Sequence, residues 1–218
     1  MAANDLMYPR TLGVLAGNDM PILLLKKWAE SSKNIFAADA GLDRLIEIGI
    51  EPDVVVGDFD SVRGLEQFQK ERSQNSDEST TDVDKLLAIA HERGVGSITL
   101  ASVEGDQLDH MLATLHSAAK SPLNVRIALR TGIGWILNKG DEVMVETKPG
   151  RRVSLVPLEE VSGANLQGVK WPLEGASLHP SGMTAVSNIA AKGQVKASIQ
   201  IGAAFLFVGF PAEEMPVW

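Results

Sequence analysis

At 218 residues, 44% of them hydrophobic, the chain is long enough for one large or two small packed domains and has an ordinary globular composition. A net charge of −8 argues against a general nucleic-acid binder, which needs a basic face, and the absence of cysteine excludes disulfides and thiol chemistry. No apolar run nears the length of a membrane span and the first residues show no basic-then-apolar pattern, so a cytoplasmic location is expected.

The predicted elements begin with a strand over residues 10–17 that ends at Gly17-Asn18. Leu23, Leu24, Lys27 and Trp28 have helical spacing within 20–31. The apolar run Ile35-Phe36-Ala37-Ala38 is a second strand, ending at Asp39-Ala40-Gly41. A helix with Leu42, Leu45, Ile46 and Ile48 follows and stops at Gly49. Val54-Val55-Val56, bounded by Pro52 and Gly57, is too short for a helix and reads as a buried strand. A helix is expected over roughly 64–72 and a mobile loop over 73–81. Residues 82–93 are helical, 97–101 a strand, 108–120 a helix and 125–129 a strand.

Apolar strands alternating with amphipathic helices imply an α/β domain with a mostly parallel sheet covered on both faces. Near residue 132 the pattern changes to strands at 143–145, 153–156, 195–201 and 205–208, punctuated by turn residues and without a convincing helix. That half reads as a small antiparallel sandwich or barrel. The expected division is therefore 1–132 and 133–218. The charge divides with it: residues 1–132 hold 20 acids and 13 bases, residues 133–218 hold 8 acids and 7 bases. An acidic first part suits a protein that gathers cations before meeting a phosphate substrate.

In parallel sheets ligands bind beyond the carboxyl ends of the strands. Four turns fall there, Gly17-Asn18, Asp39-Ala40-Gly41, Gly57-Asp58-Phe59-Asp60 and Glu104-Gly105-Asp106, and three of them bear acids. After Val56 come Gly57, Asp58, Phe59 and Asp60. If that backbone stays extended, Asp58 and Asp60 point the same way, and two adjacent carboxylates call for a divalent cation. A solvated polar loop is the plain alternative. Thr81 with Asp84 fits a helix cap, which by itself explains the acids, while Asp82 could reach a metal and Lys85 a phosphate oxygen. Asp109 and His110 open another helix, where both residue types also serve structure alone. Taken together, the rim acids resemble a magnesium–polyphosphate site. No Walker-type loop or Gly-x-Gly-x-x-Gly fingerprint exists to hold phosphate instead.

Asp39-Ala40-Gly41 with Arg44-Leu45, and Pro52-Asp53 through Gly57-Asp58-Phe59-Asp60-Ser61, resemble the signature of thiamine pyrophosphokinases. Thr81-Asp82-Val83-Asp84-Lys85, Leu108-Asp109-His110, Val169-Lys170-Trp171-Pro172-Leu173 and Ser187-Asn188 match later motifs in order. The resemblance implies pyrophosphoryl transfer from ATP to the thiamine hydroxyl with magnesium, giving thiamine diphosphate and AMP. It also implies a doubly wound α/β catalytic domain followed by a β-sandwich that binds thiamine and forms a homodimer.

On this chain the implied metal ligands are Asp39, Asp58, Asp60 and Asp82. Gly41, Arg44, Ser61, Gln107 and His110 would lie near the nucleotide, and Ser187 and Asn188 near thiamine. Asp82, Asp109 and Lys85 would be catalytic, with Asp82 or Asp109 orienting the acceptor hydroxyl. Two departures from the family pattern stand out: Ala40 in place of a glycine, and Asp106-Gln107 in place of Gly-Arg. Rival functions are a pyrophosphokinase for another hydroxymethyl heterocycle, such as a pterin, and a non-catalytic thiamine or nucleotide sensor.

Overall fold

Short β-branched and apolar runs form the strands of a parallel sheet in the first part of the chain. The computed structural model describes residues 10–60, 62–75, 77, 79–105 and 107–218. These fall into two units, one running to Arg130 and taking in Pro216–Trp218, the other Thr131–Met215.

The first unit contains β1 (Thr11–Val14), β2 (Asn34–Ala38), β3 (Val54–Gly57), β4 (Glu71–Gln74), β5 (Ser97–Ala101) and β6 (Asn124–Leu129). Their order is β6-β5-β1-β2-β3-β4, and every pair is parallel. The helices are α1 (Ile22–Glu30), α2 (Gly41–Glu47), α3 (Asp82–Glu92) and α4 (Leu108–Lys120). With this strand order, the right-handed rule for parallel crossovers puts α1 and α2 on one face and α3 and α4, which pack together, on the other. All four residues of β1 and of β3 are buried, as a strand between two helical layers requires. Leu12, Leu25, Trp28, Leu45, Leu86 and Leu100 fill the core. Trp28 meets Trp218 edge-on at 5.3 Å, and the Arg126 guanidinium lies 5.1 Å from the centre of the Trp218 ring.

The strand order reverses between β1 and β5, which is where such sheets open a ligand crevice. Beyond the strands the two segments stay paired through Leu15 N–H to Ala101 O (3.0 Å), Gly17 N–H to Ser102 O (2.7 Å) and Asp19 N–H to Glu104 O (3.1 Å). A Cβ at Gly17 would stand 2.3 Å from Glu104 O, so this close approach requires glycine.

The helix expected over 64–72 does not form. A single 3-10 turn, Leu65–Gln67, is followed by β4, so residues 73 and 74 of the expected loop are strand as well. Glu71, Arg72 and Gln74 are exposed, which hid the strand from any apolar pattern. Its cause is tertiary: β4 pairs with the fully buried β3.

The second unit holds β7 (Gly132–Leu137), β8 (Glu142–Glu146), β9 (Arg152–Pro157), β10 (Val161–Gln167), β11 (Leu173–Leu178), β12 (Ala185–Ile189), β13 (Gln194–Ser198) and β14 (Ala204–Gly209). They form antiparallel runs β12-β9-β14-β7 and β11-β10-β13-β8. β8 buries Val143 and Val145 between exposed Glu142, Met144 and Glu146, and β14 buries Ala204, Leu206 and Val208. One buried face per strand run is the pattern of a sandwich. The fold class is thus a mostly parallel α/β sheet followed by antiparallel sheet. β7, β10, β11 and β12 were not anticipated. Register shifts interrupt β10–β11, and β12 buries Asn188 alone.

Candidate active site at the carboxyl ends of the parallel strands

The site is built from turns that follow β1, β2, β3 and β5 and from the starts of α3 and α4. Asp39 directly follows β2 with a φ of 41° and is 6% exposed. A non-glycine residue in that region is uncommon and signals a backbone held there by its surroundings. Its N–H donates to Val56 O at 2.8 Å, tying the β2 turn to β3. Ala40 has a φ of −62°, which alanine adopts without cost. At Gly57 (φ 152°) a Cβ would lie 3.1 Å from Asp39 Oδ1, so the β3 turn leaves that space to the carboxylate.

Asp58 and Asp60 do not lie on extended backbone. Phe59 has a φ of 70°, and Asp58 Oδ1 accepts the Asp60 N–H at 3.2 Å. This Asx-type turn, rather than strand alternation, directs the two side chains. Asp39, Asp58 and Asp60 each bring a carboxylate oxygen within 4.8 Å of the others. Three such oxygens are a hard-donor set suited to a small divalent cation.

A cleft of about 650 Å³ opens beside this cluster. Asp39, Asp58, Asp77 and Asp82 lie in its wall, with Lys85 as the cation among its described residues. Lys85 sits on the first turn of α3 with its side chain 5% exposed and its Nζ 3.3 Å from Asp82 Oδ1. A buried ammonium needs such a partner. Thr81 and Asp84 form a reciprocal capping box that fixes where α3 begins. Burial pushes the Asp84 carboxyl up, but bonds from the Thr81 and Ser117 side chains and the Thr81 N–H hold it below the ordinary 3.8.

Asp77 accepts from Ser79 N–H at 2.9 Å and from Ser79 Oγ at 2.6 Å, and these bonds lower its pKa. Neither Asp77 nor Thr80, also in the wall, was among the residues anticipated from sequence. Only their place in the 73–81 loop pointed toward them. His110 and Thr114 of α4 complete that side, with Thr114 Oγ1 donating to His110 O at 2.8 Å.

Several anticipated residues stand elsewhere. Arg44 Nη2 donates to Met20 O at 3.1 Å and Nη1 to Glu47 Oε2 at 2.9 Å, so the guanidinium braces the β1–α1 loop against α2. Gly41 opens α2 where a Cβ would lie 2.1 Å from Val14 O; its role is close packing. Gln107 and Asp109 are exposed at the start of α4, outside the cleft's wall. Ser61 and Asp106 lie outside the described residues.

Within the second unit Asn188 is 4% exposed, and its amide is committed to backbone. Nδ2 donates to Trp171 O at 2.6 Å, and Oδ1 accepts from Trp171 N–H at 3.2 Å and Ile189 N–H at 2.9 Å. A direct amide bond to a pyrimidine edge is therefore not what Asn188 offers. It holds Trp171, which is 54% exposed and carries the Lys170 ammonium 4.7 Å from its ring centre. Ser187 is exposed at a bulge with a φ of 58°, and its N–H donates to Ser154 Oγ at 3.0 Å.

Two descriptions from one family match the chain: "Thiamin pyrophosphokinase, catalytic domain" over residues 25–129 and "Thiamin pyrophosphokinase, vitamin B1 binding domain" over 142–205. The chain is 23% identical over 190 residues to a thiamine pyrophosphokinase of Bacillus subtilis, covering 82% of this chain and 89% of that one. A crystal structure of the B. subtilis thiamine pyrophosphokinase matches with a TM-score of 0.75 at 22% identity, over 92% of this chain and 99% of the other. The thiamin pyrophosphokinase of Candida albicans matches with 0.75 at 17% identity, over 92% and 90%. That of yeast matches with 0.73 at 16%, over 95% and 88%.

Proposed function

The chain belongs to the thiamin pyrophosphokinase family, and on that footing we propose that the cleft of its first unit carries the family's transfer chemistry. The activity is transfer of pyrophosphate from ATP to thiamine. The thiamine hydroxyl oxygen forms a bond to the β-phosphorus, the bond from that phosphorus to the α-phosphate oxygen breaks, and AMP leaves. The hydroxyl proton departs during attack.

The observation that carries the site assignment is the meeting of Asp39, Asp58 and Asp60 at the mouth of the cleft. Their oxygens fit Mg²⁺, which takes one or two carboxylates together with substrate phosphates and water. Bound there, Mg²⁺ would neutralise charge on the transferred phosphates. Lys85, held by Asp82, supplies the protein's own positive charge to a phosphate oxygen. Asp82 is the better placed of the two candidate acids to orient the acceptor hydroxyl, because it borders the cleft and Asp109 does not.

Thiamine is assigned to the second unit through the exposed Trp171 ring and Ser187. Trp171, Val186 and Ile189 are exposed apolar side chains of this unit, which supports a homodimer as part of this reading. Among the described residues no helix is long and apolar enough to cross a membrane. A cytoplasmic location is part of this reading.

The test is AMP release from ATP and Mg²⁺ with thiamine, without it, and with a hydroxymethyl pterin in its place. AMP formed only with thiamine is the expected result. Equal release with the pterin overturns the substrate, and none with either overturns catalysis.

A further inference from the structure

Ser102 follows β5 directly, at the point where strand order reverses. It combines two unfavourable features in one residue. Its φ is 56°, in the left-handed region that favours glycine. Its side chain is 0% exposed, and its Oγ has no hydrogen-bond partner among the described residues. A buried hydroxyl without a partner has lost water and gained nothing for it. Glycine at this position would remove both disadvantages. Thr99 Oγ1, two residues earlier, is also buried and unpartnered, but it lies inside regular strand and outside the cleft. Ser102 belongs to the cleft's wall.

Strain and an orphaned polar group at one cleft residue are the marks of a side chain kept for a ligand. The ligand's chemistry follows from the neighbours. Asp39, Asp58, Asp82 and Lys85 form the charged side of the cleft, while Leu15, Ala16, Gly17 and Val103 beside Ser102 are neutral. A neutral wall bearing one hydroxyl suits the uncharged half of a nucleotide, whose ribose hydroxyls and ring nitrogens exchange single hydrogen bonds. It does not suit polyphosphate.

We propose that Ser102 is a nucleoside-contacting residue of this cleft, its hydroxyl turning about the Cα–Cβ bond to hydrogen-bond the sugar or base. The proposal rests on the nucleotide-binding reading above. Gly17 N–H, bonded to Ser102 O at 2.7 Å, keeps the backbone in place while the side chain turns.

Ser102→Ala removes the hydroxyl and keeps the backbone strain, while Ser102→Gly removes both. Binding is measured by calorimetry in Mg²⁺ with a non-hydrolysable ATP analogue and, separately, with inorganic tripolyphosphate. Both variants should bind the ATP analogue about tenfold more weakly, the worth of one hydrogen bond, and tripolyphosphate as the parent does. Melting temperature should rise for Ser102→Gly by about 3–6 °C and less for Ser102→Ala. Unchanged affinity for the ATP analogue overturns the proposal, as does an equal loss for tripolyphosphate. A parent protein that binds neither probe overturns the nucleotide reading itself.

Discussion

The acidic rim of the first unit and the Trp171–Asn188 corner of the second are both short polar motifs beside strands, yet they use their polar atoms in opposite ways. At the rim three carboxylates are brought within 4.8 Å of one another, with Asp39 and Phe59 in left-handed backbone. Like charges at that range repel, so the arrangement is unfavourable until a cation enters. At the corner one buried amide makes three hydrogen bonds to backbone and stabilises what it touches. On the function proposed above the rim serves a bound cation, whereas the corner's amide serves the chain itself.

The largest expected effect breaks the rim. Asp58→Asn or Asp60→Asn should lower AMP release at least ~100-fold, the scale of a lost electrostatic contact at a reacting phosphate. The same variants should melt no lower, or slightly higher, in the presence of a chelator, because repulsion is relieved. A variant that merely unfolds would assign these residues to structure.

Asn188→Ala tests the other side. It leaves Trp171 N–H and O without their partners, at about 1–3 kcal/mol of stability by denaturant titration. Affinity for an ATP analogue should hold, since the rim lies in the other unit. Thiamine affinity should fall through loss of the Trp171 ring's position. Full thiamine affinity in a destabilised protein would limit Asn188 to folding.

A smaller effect sharpens the contrast at α3, where a motif serves both purposes. Thr81→Ala should cost about 1 kcal/mol through loss of the cap. Asp84 titrates lower in the folded chain than its ordinary 3.8, so the contribution of its bonds is full above that value and is lost as acid carries it through the folded pKa. Stability followed from pH 5 downward should fall less steeply in Thr81→Ala than in the parent. Smallest is Gln107→Arg. A charged donor at an exposed helix start outside the cleft's wall should tighten ATP binding about two- to fivefold, the worth of an exposed ion pair.

The sequence showed the strand–helix alternation because β1, β3 and β5 are buried on both faces and cannot hide their apolar runs. It also showed α3 and α4, whose starts carry Thr81 and Asp109. It did not show β4, whose Glu-Arg-Ser-Gln has no apolar residue and exists as strand through pairing with β3. Asp58 and Asp60 do converge, but by a turn through Phe59 that no residue pattern announced. Asp77 and Ser102 were missed because a residue's place in a cleft wall depends on contacts far along the chain. The bonds between the Asn188 amide and Trp171 were not legible, because the two residues lie 17 positions apart.

β4 has a consequence for solubility. Among the described residues it is the last strand of its sheet, the kind of edge that another chain could extend. The side chains oppose this. Arg72 Nη2 folds back onto Leu65 O and Phe68 O at 2.6 and 2.7 Å, and Glu71 pairs with Arg93. Charge on a four-residue strand makes a poor template for cross-strand aggregation. A valine-rich strand of the same length would pair with β3 equally well and would invite fibrils at high concentration. The residues that concealed β4 from prediction are those that blunt its edge.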